Sequence, residues 1–86
     1  MNEDRSVDEL RNLGPKSKQW LNNVGIFTKA DLAHVGSVIA YRIVKEAGYP
    51  ATANLLYALE AALLDIDWRA LDSEQKERLR REVGLD

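Results

Sequence analysis

The sequence predicts an all-α fold, a compact domain of five to six helices. Three observations lead there. Helix-start signals recur along the whole chain. Glycines stand where the apolar periodicity of each candidate helix runs out, at positions 14, 25, 36, 48 and 84. No segment alternates polar and apolar residues for long enough to make a strand.

Each expected helix has its own start and stop. Ser6-Val7-Asp8-Glu9 has the spacing of a capping box and opens a short helix through Arg11. Gly14-Pro15 opens the second, because proline in the first helical turn loses no hydrogen bond. That helix carries Trp20, Leu21 and Val24 on one face and stops at Gly25, a left-handed cap. Thr28 to Asp31 starts a third helix that ends near Gly36, and Ser37 caps a fourth that is apolar on most sides and closed by Gly48. Thr52 caps a fifth, where Leu55, Leu56, Leu59, Ala62, Leu63 and Ile66 form a wide apolar stripe. Asp72 to Gln75 begins a sixth, charged helix with only Leu79 and Val83 facing inward. The expected core holds Trp20, Leu21, Leu32, Ile43, Leu56, Leu59 and Leu63. Residues 1–5 are expected to be flexible.

Length and composition narrow the function classes. A chain of 86 residues fits one domain, 1–86, with a modest core. It contains no cysteine and one histidine, which removes disulfides, thiolate zinc sites and histidine clusters together. His34 is expected as a partly exposed helix histidine. The four serines lack the G-x-S-x-G elbow, and there is no phosphate loop. Asp65 and Asp67 point to different faces of any helix and are expected to cap the turn before Trp68. Trp20, Tyr41, Tyr57 and Trp68 stand at helical spacing among aliphatic residues, as core or core-edge aromatics do. The expectation is therefore no enzyme, no catalytic residue, no cofactor, no metal and no small-molecule substrate. The N-terminus lacks the apolar run of a signal peptide, and the stretch from Leu55 to Ile66 is too short and too charged to span a bilayer. A bacterial cytoplasmic protein with no membrane partner is expected.

Net charge is only −2, but its distribution is uneven. From Leu10 to Lys45, Arg11, Lys16, Lys18, Lys29, Arg42 and Lys45 stand against Asp31 alone. Within this basic stretch, Leu10-Arg11-Asn12-Leu13-Gly14-Pro15-Lys16-Ser17 resembles the hairpin of helix-hairpin-helix proteins, whose core reads roughly L-P-G-I-G-P-K-T-A. On that match Leu10 and Leu13 are buried anchors and Asn12 takes the place of the first glycine. Lys18 takes the place of the small alanine that packs the second helix. Physically, a helix N-terminus offers unpaired N–H groups and partial positive charge to a phosphate. Lys16 and Lys18 add charge without reading base sequence. The candidate DNA-backbone residues are Asn12, Gly14, Lys16, Ser17 and Lys18. A fainter copy at Val35-Gly36-Ser37-Val38-Ile39-Ala40 puts Val38 and Ile39 where Lys16 and Ser17 stand, and reads as structural.

The ordered succession of the hairpin, Trp20-Leu21, Val24-Gly25-Ile26, Thr28, Asp31-Leu32, Val35-Gly36, Ala40-Tyr41, the run from Asn54 to Leu63, Trp68 and Leu71 resembles the C-terminal domain of the TfoX/Sxy family of bacterial competence regulators. The likeness spans Leu10 to Leu79. It implies a non-enzymatic role in regulating genes for DNA uptake and brings no established functional residues. The separate N-terminal domain that family members often carry is expected to be absent. Two readings stay open. One is a transcription-regulatory accessory module that touches DNA backbone non-specifically through residues 12–18. The other is a protein-interaction module that docks on another regulator, or on itself, without binding DNA.

Overall fold

Reciprocal caps decide where two of the helices begin. Thr28 accepts the Asp31 amide proton while the Asp31 carboxylate accepts from the Thr28 N–H. Asp72 and Gln75 exchange the same pair of bonds. In the computed structural model, which describes residues 5–84, these caps open the second and fourth of four α-helices. The order is α1 (Pro15–Asn23), α2 (Lys29–Glu46), α3 (Ala53–Leu64) and α4 (Ser73–Val83), with 3₁₀ turns at Val7–Glu9 and Trp68–Ala70. Among the described residues there is no strand, only an isolated antiparallel bridge between Ser6 and Thr28.

The helix count is four, not five to six, for two reasons. The segment after Ser6 makes only the 3₁₀ turn, since the few residues before Gly14-Pro15 cannot offset the cost of nucleating an α-helix. It is held instead by tertiary bonds, Val7 N–H to the Phe27 carbonyl at 2.9 Å and Lys29 N–H to the Arg5 carbonyl at 2.8 Å. The expected third and fourth helices run on as one, α2, with a kink at Gly36. The flexibility expected of residues 1–5 concerns positions outside the described residues, except for Arg5, which that carbonyl bond ties down.

The core is one cluster to which every helix contributes, with α3 at its centre. Leu55 to Leu59, Ala61 and Ala62 are all buried, against Leu21 of α1, Leu32, Tyr41 and Val44 of α2, and Leu79 of α4. Of the expected core, Leu21, Leu32, Leu56 and Leu59 are fully buried. Trp20, Ile43 and Leu63 are only partly so. Each stands at the edge of its helix's apolar arc, where a wide stripe meets solvent. Leu10 and Leu13 are buried, as the hairpin match requires. Among the described residues no helix is long and apolar enough to cross a membrane.

Candidate nucleic-acid interface

The turn that leads into α1 owes its shape to Asn12. Its φ of 77° is a left-handed conformation that asparagine tolerates better than most residues. Its side chain spans a distant segment. The Asn12 Nδ2 donates to the Ile66 carbonyl at 2.7 Å, and Oδ1 accepts from the Trp68 N–H at 3.0 Å. The carboxamide is thus committed to clamping the turn after α3. Asn12 therefore positions this turn, with one bond from its Nδ2 and one to its Oδ1.

The chain then turns into α1. Gly14 is extended (φ −82°, ψ 175°), Pro15 occupies the first helical position, and no side chain caps the helix start. The first amide to find a partner within the helix is that of Lys18, donating to the Gly14 carbonyl at 3.1 Å. The N–H groups of Lys16 and Ser17 come before it, in the unpaired first turn. Lys16 is exposed, and Ser17 and Lys18 are half-exposed. Neither lysine is ion-paired among the described residues, and α1 contains no acid. The helix is fixed from behind by Leu21 in the core and by Trp20, whose ring stacks on Tyr49 with centroids 5.4 Å apart. Asn23 adds a bond to the Tyr49 hydroxyl at 3.0 Å. Of the sequence candidates, Gly14, Lys16, Ser17 and Lys18 therefore share one solvent-facing helix start, while Asn12, half-buried, is tied to the turn after α3.

A trough of about 270 Å³ lies beside this helix start, lined by Asn12, Ser17, Trp20, Pro50, Thr52, Asn54, Leu55 and Ala58. Thr52 and Asn54 belong to the beginning of α3, which also has no side-chain cap bond. Two uncapped helix starts thus meet at one trough. The sequence held a signal for this: three residues after Thr52 stands Leu55, where Thr28 has Asp31 and Asp72 has Gln75. A smaller hollow of about 190 Å³ shares Asn12, Asn54 and Ala58 and is closed by Trp68. No carboxylate lines either cavity.

The fainter copy of the hairpin is built differently. Gly36 (φ 85°, ψ 163°) breaks α2 in a conformation essentially reserved for glycine. Ser37 is buried, and its hydroxyl donates to the Glu60 carboxylate of α3 at 2.7 Å. Ala40, at the position matching Lys18, is fully buried. This break is packed and already holds an acid of its own chain.

Two acidic groups elsewhere, Asp31 and Asp67, are engaged locally. The backbone N–H of Phe27, and then that of Thr28, hold the Asp31 carboxyl below its ordinary range. Hydrogen bonds from the Arg69 side chain and backbone hold Asp67 far below it, and Asp67 in turn raises Arg69. Asp67 caps the turn at Trp68, as expected, while Asp65 takes the left-handed position that ends α3. Trp68 departs from the expected core-edge role: it is 40% exposed, with the Lys76 ammonium 5.2 Å from its ring centroid. His34 is exposed on α2. Among the described residues, no group of three His, Asp or Glu side chains is placed to hold a metal ion.

A family model described as the TfoX C-terminal domain matches residues 3–83. The chain belongs to that family. TfoX C-terminal domains are regulatory-type modules. Two solved structures resemble this one closely, both crystal structures of proteins from Listeria monocytogenes. A triclinic form of an uncharacterized protein is 36% identical with a TM-score of 0.82, covering 87% of this chain and 85% of its own. A tetragonal form of a protein of unknown function is 35% identical with a TM-score of 0.82, covering 92% of this chain and 98% of its own. No curated protein matches.

Proposed function

We propose that this TfoX C-terminal domain is a non-enzymatic accessory module in the control of competence genes, and that it touches DNA backbone through the start of α1. The observation that carries this reading is the contrast between the two hairpin-like breaks. The second is packed and holds Glu60, whereas the first is open, acid-free and flanked by Lys16 and Lys18. Unpaired amides and two lysines suit a phosphate, and they form no fork for base edges. The kinship with helix-hairpin-helix folds belongs to the same reading, supported by the buried Leu10 and Leu13 and the left-handed Asn12.

Binding should be weak, indifferent to sequence and steeply reduced by salt. Each phosphate-contacting lysine lost should lower the log–log salt slope by about one unit. In a duplex-DNA titration at two salt concentrations, Lys16→Glu should abolish binding, while Arg78→Glu on α4 should change it little. Unchanged binding by Lys16→Glu would assign the hairpin a purely structural role. The protein-docking alternative rests on large apolar side chains at the surface, Phe27 foremost at 56% exposure, with Ile39, Leu64 and Trp68. A sizing measurement showing self-association that Phe27→Ser abolishes would favour it.

A further inference from the structure

Helix α4 is attached differently from the rest of the fold. Of its eleven residues only Leu79 is buried, whereas α3 buries seven of twelve. Its ends are closed by the Asp72–Gln75 box and the left-handed Gly84, and the ion pairs Glu77–Arg81 and Arg78–Glu82 run along its length. These local bonds tie α4 to nothing else. Beyond Leu79 and the half-buried Val83, its polar contacts to the domain run through cations. The Lys76 ammonium stands over two rings, 5.5 Å from the Tyr57 centroid and 5.2 Å from that of Trp68. Arg80 donates to the Tyr57 hydroxyl at 2.6 Å, and Arg42 of α2 donates to the Glu82 carbonyl. Trp68 has a second partner, since its N–H donates to Asn12 Oδ1 at 3.0 Å. One residue thus joins α4 to the turn that leads into α1.

We propose that α4 is a strap that opens as a unit and regulates the start of α1, because Lys76 and the Asn12 carboxamide grip the same residue, Trp68. This rests on the backbone-contact reading and adds the element that controls the site. A segment with few buried apolar contacts opens at lower free energy than the core it lies on. Eleven residues are too few for a helix to persist alone in water, so opening exposes the α4 amides together. It also takes the ammonium off the Trp68 ring. The turn at Trp68–Ala70 then keeps its bond to Asn12 but loses its tie to α4. Asn12 is the residue whose left-handed backbone leads the chain toward Gly14 and Pro15, so docked α4 favours the fixed helix start and open α4 loosens it. By linkage, DNA held at the start of α1 must in turn favour docked α4.

The test is native-state hydrogen exchange, followed amide by amide by NMR, with and without duplex DNA at low salt. In the free wild type, Glu77 to Val83 should exchange through one shared opening, ~10-fold or more faster than Leu59 to Leu64. Lys76→Gln should speed α4 exchange ~5-fold or more, at ~2- to 5-fold for each ring lost. It should speed the Trp68 N–H as well and leave Leu59 to Leu64 unchanged. Tyr57→Phe removes only the hydroxyl that Arg80 uses and should speed both α4 and the Trp68 N–H by ~2-fold or more. Lys76→Arg, which keeps a cation over the rings, should exchange as the wild type does. So should Arg78→Gln, which removes the same charge from the exposed face. Duplex DNA at ten times its Kd should slow α4 exchange by up to ~10-fold in the wild type and in Arg78→Gln. Exchange of α4 only together with α3 overturns the strap. A Trp68 N–H indifferent to both Lys76→Gln and Tyr57→Phe overturns the coupling. If DNA binds and α4 exchange does not respond, the regulatory role is overturned and the backbone reading stands. If no DNA binds, the backbone reading falls and the regulatory role with it, while exchange without DNA still decides the strap.

Discussion

The break before α1 and the break inside α2 begin from similar sequence, a leucine or valine, then glycine, then a helix-starting residue, and end in opposite environments. At the first, Leu13 is buried, Gly14 has an ordinary extended backbone, and the helix start faces solvent beside a trough. At the second, Val35 is only partly buried, Gly36 is forced into positive φ, and Ser37 and Ala40 are packed against α3. A glycine beside a helix start is therefore ambiguous by itself. What the next helix packs against, and whether an acid reaches its first turn, separates an open helix start from a structural kink.

Truncating the apolar anchors should divide the two breaks most sharply. Leu13→Ala should cost ~2–5 kcal/mol, the usual range for a buried leucine, and more than Val35→Ala at the matching position. Equal losses in parallel denaturant titrations would show that the two anchors are alike and break the comparison. Next comes the clamp. Asn12→Ala gives up two hydrogen bonds and puts alanine at positive φ, for an expected ~2–4 kcal/mol. Asn12→Gly keeps the backbone freedom and loses only the bonds, so it should cost less. If the two variants melt together, the left-handed turn contributes nothing.

The glycines give the third contrast. Gly36→Ala should destabilise by ~1–3 kcal/mol through backbone strain alone, since no atom crowds an added Cβ there. Gly14→Ser fits the backbone and adds a cap, so it should stabilise by a few tenths of a kcal/mol. It should also weaken DNA binding, by engaging an amide otherwise free for phosphate. The smallest effect is expected from pH. Asp31 has a lowered pKa in the fold, so its contribution is complete above the unfolded carboxylate value and is lost as pH falls through the folded one. Protection of the Phe27 and Thr28 amides, relative to their intrinsic exchange rate, should thus fall below about pH 4, while the start of α1, which uses no carboxylate, should not respond. A matching acid response at Lys16 and Ser17 would reveal an acidic partner at the open break.

Much of the fold is legible locally. The boxes at Thr28 and Asp72 need only residues three apart, and the stripe through α3 needs only helical period, so both were readable without tertiary knowledge. The first expected helix was not, because a single turn gains too little locally and its Ser6–Glu9 spacing was overridden by pairing with residues 27–29. Asn12 was legible as a left-handed residue but not as a clamp, since its partners lie more than fifty positions away.

The same division runs through the site. Sequence alone determined the acid-free basic stretch around α1 and the proline-started helix, both set by side-chain identity and short spacing, whereas the cap expected from Thr52 is not made. Only the tertiary structure decided that the α1 and α3 helix starts converge on one trough and that both tryptophans border its cavities. Only it placed Glu60 against Ser37 at the second break. Those juxtapositions join residues 23 to 56 positions apart, and they depend on how α3 seats in the core, which no local pattern encodes.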